Sequence, residues 1–263
     1  MPLATALLRA GLGYGSRVDL NPPSWALALL AAWLVGASKT GLSGAVTIAV
    51  VLFASILPAR EATGALLPVL IFADFIAVSM LRKNVRWQQL LRIFPWTAVG
   101  VGLGTVMLYF SNDAQVQRVI GAIIVGMTTY QLYRKARRLN DVTLSAHPAF
   151  APTMGVAAGF TTMVANAAGP FVLIYMLAMR MGKLEVVGSI AWYFLVVNLF
   201  KVPFAVGLGL ITWKSLTFNL WLLPAVGLGA WAGRRLLDYL HQDTFEWMAL
   251  TLAWLGGLRL LLA

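Results

Sequence analysis

Apolar runs close to one bilayer thickness alternate with short polar or basic stretches along most of the chain. A membrane span takes roughly 20 such residues, so the pattern predicts transmembrane helices. Ala62 to Leu81, Pro95 to Phe110, Val116 to Tyr133 and Val186 to Leu208 each read as one span. Two stretches do not fit that picture. Trp25 to Val35 and Ala45 to Leu57 are short runs separated by the polar, glycine-rich Gly36-Ala37-Ser38-Lys39-Thr40-Gly41-Leu42-Ser43-Gly44. Pro152 to Met181 is too long for one helix and is interrupted by Thr161-Thr162-Met163-Val164-Ala165-Asn166-Ala167-Ala168-Gly169-Pro170. Both read as half-helices meeting at a break, with Gly169-Pro170 opening the second half-helix because proline suits a first turn. Lipid cannot satisfy the backbone groups freed at a break, which must therefore face protein or a water-filled cavity. Transporters place ligands at such breaks, where the positive end of a half-helix attracts an anion.

The second half of the chain repeats the first. An offset of 124 residues aligns Glu61 with Glu185, Gly64 with Gly188 and Asp74 with Asn198, and a slightly larger one pairs Trp87 with Trp213 and Pro95 with Pro224. Charge sets the orientation of the repeats. The loop at 82–92, with Arg82, Lys83, Arg86 and Arg92, and the loop at 134–138 are basic and read as cytoplasmic, whereas 111–113 has no base. In the second half the corresponding loops swap, since 209–216 holds only Lys214 and 234–243 carries Arg234 and Arg235. The expected fold is therefore an all-α polytopic membrane protein of two inverted repeats, each a broken helical hairpin plus three transmembrane helices. Residues 1–24 read as a leader at the interface, 25–133 as the first repeat, 134–151 as a basic cytoplasmic linker and 152–263 as the second repeat. On this topology Arg9 and Arg17 lie outside, against the charge rule.

Composition agrees. The 263 residues are 60% hydrophobic and 11% charged, against about 25% charged in a soluble domain. Cysteine is absent, which excludes disulfides, thiolate metal sites and cysteine nucleophiles. Both histidines, His147 and His241, fall in hydrophilic loops, so no buried histidine metal site and no cofactor is expected. The net charge of +11 resides largely in short loops between apolar segments, an orientation signal and not a nucleic-acid surface.

The chemistry concentrates at the two breaks. Lys39 sits among Ser38, Thr40 and Ser43, a set suited to an anion, the alternative being a lysine that snorkels to the interface. Lys201 lies 16th in its apolar run, too deep to snorkel, and an intramembrane lysine is a functional candidate by default. Its alternative is a structural ion pair with Asp74, the only carboxylate deep in an apolar run, whose aligned mate is Asn198. If Asp74 and Lys201 pair, substrate competing for Lys201 frees Asp74 to take a proton, which gives a coupling route. Thr161, Thr162 and Asn166 supply neutral donors on the second tip, or else cap the half-helices.

Enzyme readings fare worse. A P-loop is excluded because Ser38 precedes Lys39 where glycine is required. Gly41-Leu42-Ser43-Gly44 resembles an intramembrane serine-protease motif, but no apolar segment holds a histidine base, leaving only a Lys39–Ser43 dyad four residues apart. Gly100-Val101-Gly102-Leu103-Gly104 and Gly227 to Gly233 follow no strand, so they read as close helix packing through small residues. A passive anion channel is the nearer rival to a transporter, since it shares a basic, hydroxyl-lined midplane.

Gly36-Ala37-Ser38-Lys39-Thr40-Gly41, Leu67-Pro68 with Asp74, Gly159-Phe160 with Gly169-Pro170, and Asn198-Leu199-Phe200-Lys201-Val202-Pro203 together resemble the TauE/SafE sulfite exporter family, in matching order over about residues 25 to 262. The resemblance implies a secondary transporter of small sulfur-containing anions, such as sulfite or organosulfonates, or of related carboxylates, in the cell (inner) membrane. Leu42-Ser43-Gly44-Ala45 replaces the family's usual run of glycines, and Asn166 stands where relatives often have histidine. The expected partners are the small anion, protons or another coupling ion, and the lipid bilayer, with a homodimer compatible with the small-residue helix faces.

Overall fold

The computed structural model describes residues 21–40, 42, 44–81, 85–137, 149–179, 181–236 and 242–262. The leader reading at 1–20 and the expectations for Ser43, Arg82, Lys83, Arg138, His147, Arg180 and His241 lie outside the described residues.

The described residues form helices joined by short turns: α1 Pro22–Thr40, α2 Ala45–Ile56, α3 Ala59–Leu81, α4 Trp87–Phe110, α5 Asp113–Ala136, α6 Phe150–Ala165, α7 Gly169–Ala178, α8 Lys183–Gly207, α9 Trp213–Leu236 and α10 Gln242–Leu262. Among them α3, α4, α8, α9 and α10 are long and apolar enough to cross a membrane, while α5 has the length but is more polar. The protein is thus an all-helical, multi-pass membrane protein. At about 1.5 Å per residue, α2 rises about 18 Å and α7 about 15 Å, roughly half of a 30 Å hydrocarbon core. They are the second half-helix expected at each break, whereas the first partners are longer than expected, α1 with 19 residues and α6 with 16.

Both breaks are shorter than the polar stretches that signal them. Gly36 to Thr40 are helical and belong to α1, and Thr161 to Ala165 belong to α6. The reason is local hydrogen bonding. Ser38 Oγ donates to the Val35 carbonyl at 2.7 Å and Thr161 Oγ1 to the Ala157 carbonyl at 2.7 Å, so these hydroxyls support the helix instead of ending it. Among the described residues of the two breaks, positive φ falls at Gly44 and Asn166. Gly44 adopts φ 87°, and Asn166 adopts φ 50° and caps α6, its N–H meeting the Thr162 carbonyl while the next N–H meets Thr161. Gly169 and Pro170 then open α7 as expected.

Other span limits also move outward. α4 begins at Trp87, eight residues before Pro95, which sits inside the helix. Asn112 and Gln115 form a reciprocal capping box that starts α5 three residues before Val116.

The two halves pack with their roles exchanged. α1 lies along α9 and α4 along α6, while α3 meets α8 and α5 meets α10. The correspondence extends to single glycines. A methyl group at Gly36 would overlap the Val226 carbonyl of α9, and one at Gly159 would overlap the Thr97 carbonyl of α4. Gly229 meets Trp33 of α1 as Gly100 meets Val156 of α6, and Gly233 meets Ala37 as Gly104 meets Phe160. Positions 123 apart in α1 and α6, and 129 apart in α4 and α9, therefore play matching parts, the pattern a two-fold relation between repeats produces. Gly100, Gly104, Gly229 and Gly233 are the helix-packing devices expected of these two stretches, bringing backbones together where lipid gives helices no hydrophobic reason to associate, while Gly102 and Gly227 meet no neighbouring helix.

Candidate functional site

Polar groups converge where α3 and α8 cross beside the ends of α1 and α6. Asp74 and Lys201 are the only charged residues buried from solvent among the described residues, at 0% and 1% exposure. They do not pair directly. The carboxylate of Asp74 meets Lys39 of α1, with Nζ 2.7 Å from Oδ1. The ion pair considered as an alternative for Lys201 is thus made by Lys39, and the alternative of a snorkelling Lys39 does not hold. Lys39 is the last residue but one of α1 and only 13% exposed, so its ammonium reaches inward to α3 instead of out to an interface. The ring of Phe194 lies 4.2 Å from the same ammonium, adding a cation–π contact.

Lys201 has neutral partners. Its Nζ donates to Asn166 Oδ1 at 2.7 Å, Thr162 Oγ1 at 3.2 Å and Asn198 Oδ1 at 3.3 Å. Three acceptors match the three protons of an ammonium. Asn198 also links the two lysine environments, because its Nδ2 donates to Asp74 Oδ2 at 2.7 Å. Asn166 is held in turn by Nδ2 donating to the Thr63 carbonyl at 3.2 Å, and Thr63 Oγ1 lies 2.9 Å from the Val164 carbonyl. The first turn of α3 thus pins the break after α6. The left-handed backbone at Asn166 and its amide contacts serve one purpose, which is to aim a carbonyl oxygen at Lys201.

The same offsets relate residues inside the site. Thr162 occupies in α6 the place of Lys39 in α1, and Asn198 occupies in α8 the place of Asp74 in α3. One repeat therefore supplies a charged pair and the other its neutral image, Thr162 and Asn198, with the Lys201 ammonium bridging the two. With all three groups ionised, the cluster holds two lysines against one carboxylate, an excess of one positive charge.

The remaining sequence candidates are placed less directly. Ser38 and Thr161 give their protons to helix carbonyls, and Thr40 Oγ1 bonds the Ala230 carbonyl of α9 at 2.7 Å. In this arrangement those three hydroxyls are committed to backbone and serve packing, which departs from the expectation of ligand donors. α1 ends at Thr40, one residue past Lys39 and short of the four-residue helical spacing a Lys39–Ser43 dyad requires, and Ser43 lies outside the described residues. Among the described residues no group of histidine, cysteine, aspartate and glutamate could hold a metal.

Sequence reasoning missed Phe194 and Thr63. Phe194 was detectable in principle, because 194, 198 and 201 fall at i, i+4 and i+7 on one face of α8. Thr63 acts through its main-chain carbonyl as well as its hydroxyl, and a carbonyl leaves no sequence signal.

A family model described as sulfite exporter TauE/SafE matches residues 25–260. No curated protein and no solved structure matches the chain. Since that match runs from within α1 to within α10 and covers nearly the whole chain, the protein belongs to the sulfite exporter TauE/SafE family and is a multi-pass membrane transporter.

Proposed function

We propose that the protein is a secondary transporter of small sulfur-containing anions, such as sulfite, an organosulfonate or a similar oxyanion or carboxylate, in the cell membrane. The observation that carries the reading is the surplus buried cation. An ion withdrawn from water into protein costs several kcal/mol unless charge compensates it, and Lys201 has only neutral oxygens around it. An anion taking the place of those oxygens completes the charge balance. Lys201, Thr162 and Asn166 then form the substrate site, with Lys39, Asp74 and Asn198 beside it as the coupling group and protons as the coupling ion.

Alternating access is favoured by the pairing of the repeats. The exchanged packing of α1 on α9 and α4 on α6, together with the swapped loop charges, supports inversion of the two halves about the membrane plane, with both breaks near the midplane. Rocking of one unit against the other then exposes Lys201 to each side in turn.

Counterflow in proteoliposomes tests the assignment. Vesicles preloaded with unlabelled sulfite are expected to accumulate labelled sulfite transiently, with saturable kinetics, and preloaded chloride is expected to give no such overshoot. Flux that neither saturates nor shows counterflow would assign a passive anion channel instead.

A further inference from the structure

We propose that the site counts charge: it takes a monovalent anion with no proton and a divalent anion together with one proton carried on Asp74. This rests on the anion-transport reading above and specifies the substrate's charge state and the division of labour between the two halves of the site.

The two lysines are not equivalent. Lys39 is already neutralised, 2.7 Å from the Asp74 carboxylate, whereas Lys201 faces three neutral oxygens. A monoanion at Lys201 brings the cluster from +1 to zero while leaving the Lys39–Asp74 pair intact. A dianion at the same place would leave the buried cluster at −1. Burial disfavours net charge of either sign, so the dianion complex recovers neutrality by placing one proton on Asp74, the only carboxylate buried among the described residues. That proton dissolves the ion pair and frees the Lys39 ammonium. Asn198 sits between the two events, contacting Asp74 Oδ2 and the Lys201 ammonium with opposite ends of one amide. The change at Lys201 is thereby felt at Asp74.

The charges that act on Asp74 are those of Lys39 and Lys201. Of the helices packed against α3, α2 and α6 carry no ionisable side chain, α1 contributes Lys39, and α8 carries Lys183, Glu185, Tyr193 and Lys201, with the buried Tyr193 hydroxyl bonded to Thr97 and the Glu185 carboxylate to Arg86. α5 carries Asp113, Arg118, Tyr130, Tyr133, Arg134 and Lys135, and α9 carries Lys214, Arg234 and Arg235, none of them buried. Among the described residues no second carboxylate is buried to take the proton in place of Asp74. For sulfite the rule has a simple consequence. Bisulfite binds alone and sulfite binds with a proton on Asp74, so both forms load the same total charge and the same number of protons.

The test is calorimetric titration of purified protein with two probes of fixed valence, methanesulfonate as monoanion and thiosulfate as dianion, in two buffers of different ionisation heat. Thiosulfate binding is expected to take up close to one proton and to weaken by about tenfold per pH unit on the alkaline side. Methanesulfonate is expected to take up close to none. Equal proton uptake by both probes, or failure of thiosulfate to bind at any pH where methanesulfonate does, overturns the charge-counting rule while leaving an anion site. Failure of both probes and of sulfite to bind overturns the transport reading itself. Asp74→Asn adds a second readout: thiosulfate binding loses its proton uptake. The calorimetric proton count on the native protein decides the matter even where that variant folds poorly.

Discussion

Gly159→Ala is expected to lower the thermal midpoint of the purified protein by about 6–12 °C, the shift that about 3 kcal/mol produces in a chain of this size. Gly102→Ala is expected to leave it unchanged or slightly raised. Both glycines lie within helices, so intrinsic propensity favours alanine at each by up to about 1 kcal/mol. Packing separates them. A Cβ at Gly159 would overlap the Thr97 carbonyl and crowd the Val101 amide of α4, whereas a Cβ at Gly102 meets nothing within 4 Å. The obstacle at Gly159 is backbone on a neighbouring helix, which cannot rotate aside as a side chain would. Relief requires α4 and α6 to separate, and that loosens the matching contacts of Gly100 with Val156 and Gly104 with Met163. Thermal unfolding in detergent, followed by tryptophan fluorescence, checks the pair. Equal midpoints for the two variants would show that the α4–α6 contact does not depend on close approach.

The same glycines show what was legible in the sequence. Gly100 to Gly104 and Gly227 to Gly233 announce close helix packing because no strand precedes them, and the structure places Gly100 and Gly104 against α6 and Gly229 and Gly233 against α1, while Gly102 and Gly227 face open space. The break at Gly36 to Gly44 was overread for a related reason. Glycine and hydroxyl residues at a helix end look like an interruption in one dimension, but Gly36 serves contact with Val226 and Ser38 bonds back to Val35. Only the neighbour explains the glycine, and the neighbour is nearly two hundred residues away in sequence. The site was legible in its residue types and not in its pairing. Lys39, Asp74 and Lys201 stand out as polar residues in apolar surroundings, yet which lysine meets the carboxylate depends on how α1, α3 and α8 cross. The offset of 124 aligns Asp74 with Asn198, and in the structure these two equivalent positions on α3 and α8 meet, a contact that the alignment alone does not announce.

Removing each lysine separates substrate binding from structure. Lys201→Met is expected to reduce sulfite transport at least about 100-fold, the ratio that loss of about 2.7 kcal/mol of anion binding gives. Its thermal midpoint is expected to hold or rise. The variant removes the surplus cation and leaves Asp74 paired with Lys39, and replacing a buried charge with an apolar chain of similar length is commonly neutral or stabilising. Lys39→Met has the opposite signature. It deprives Asp74 of the ammonium 2.7 Å away, leaving a fully buried carboxylate with Asn198 as its hydrogen-bond donor. Breaking a buried pair from one side costs about 3–5 kcal/mol, so the midpoint falls, and adding Asp74→Asn to Lys39→Met restores most of it by removing the orphaned charge. Proteoliposome uptake and thermal unfolding of the three variants read both quantities. Normal transport by Lys201→Met at wild-type stability would remove Lys201 from the anion site and move the assignment to Lys39. Loss of transport together with loss of folding in both single variants would instead make the whole cluster a structural network. The expected result, a stable but inactive Lys201 variant beside an unstable Lys39 variant rescued at Asp74, follows only if one lysine holds the anion and the other holds the carboxylate.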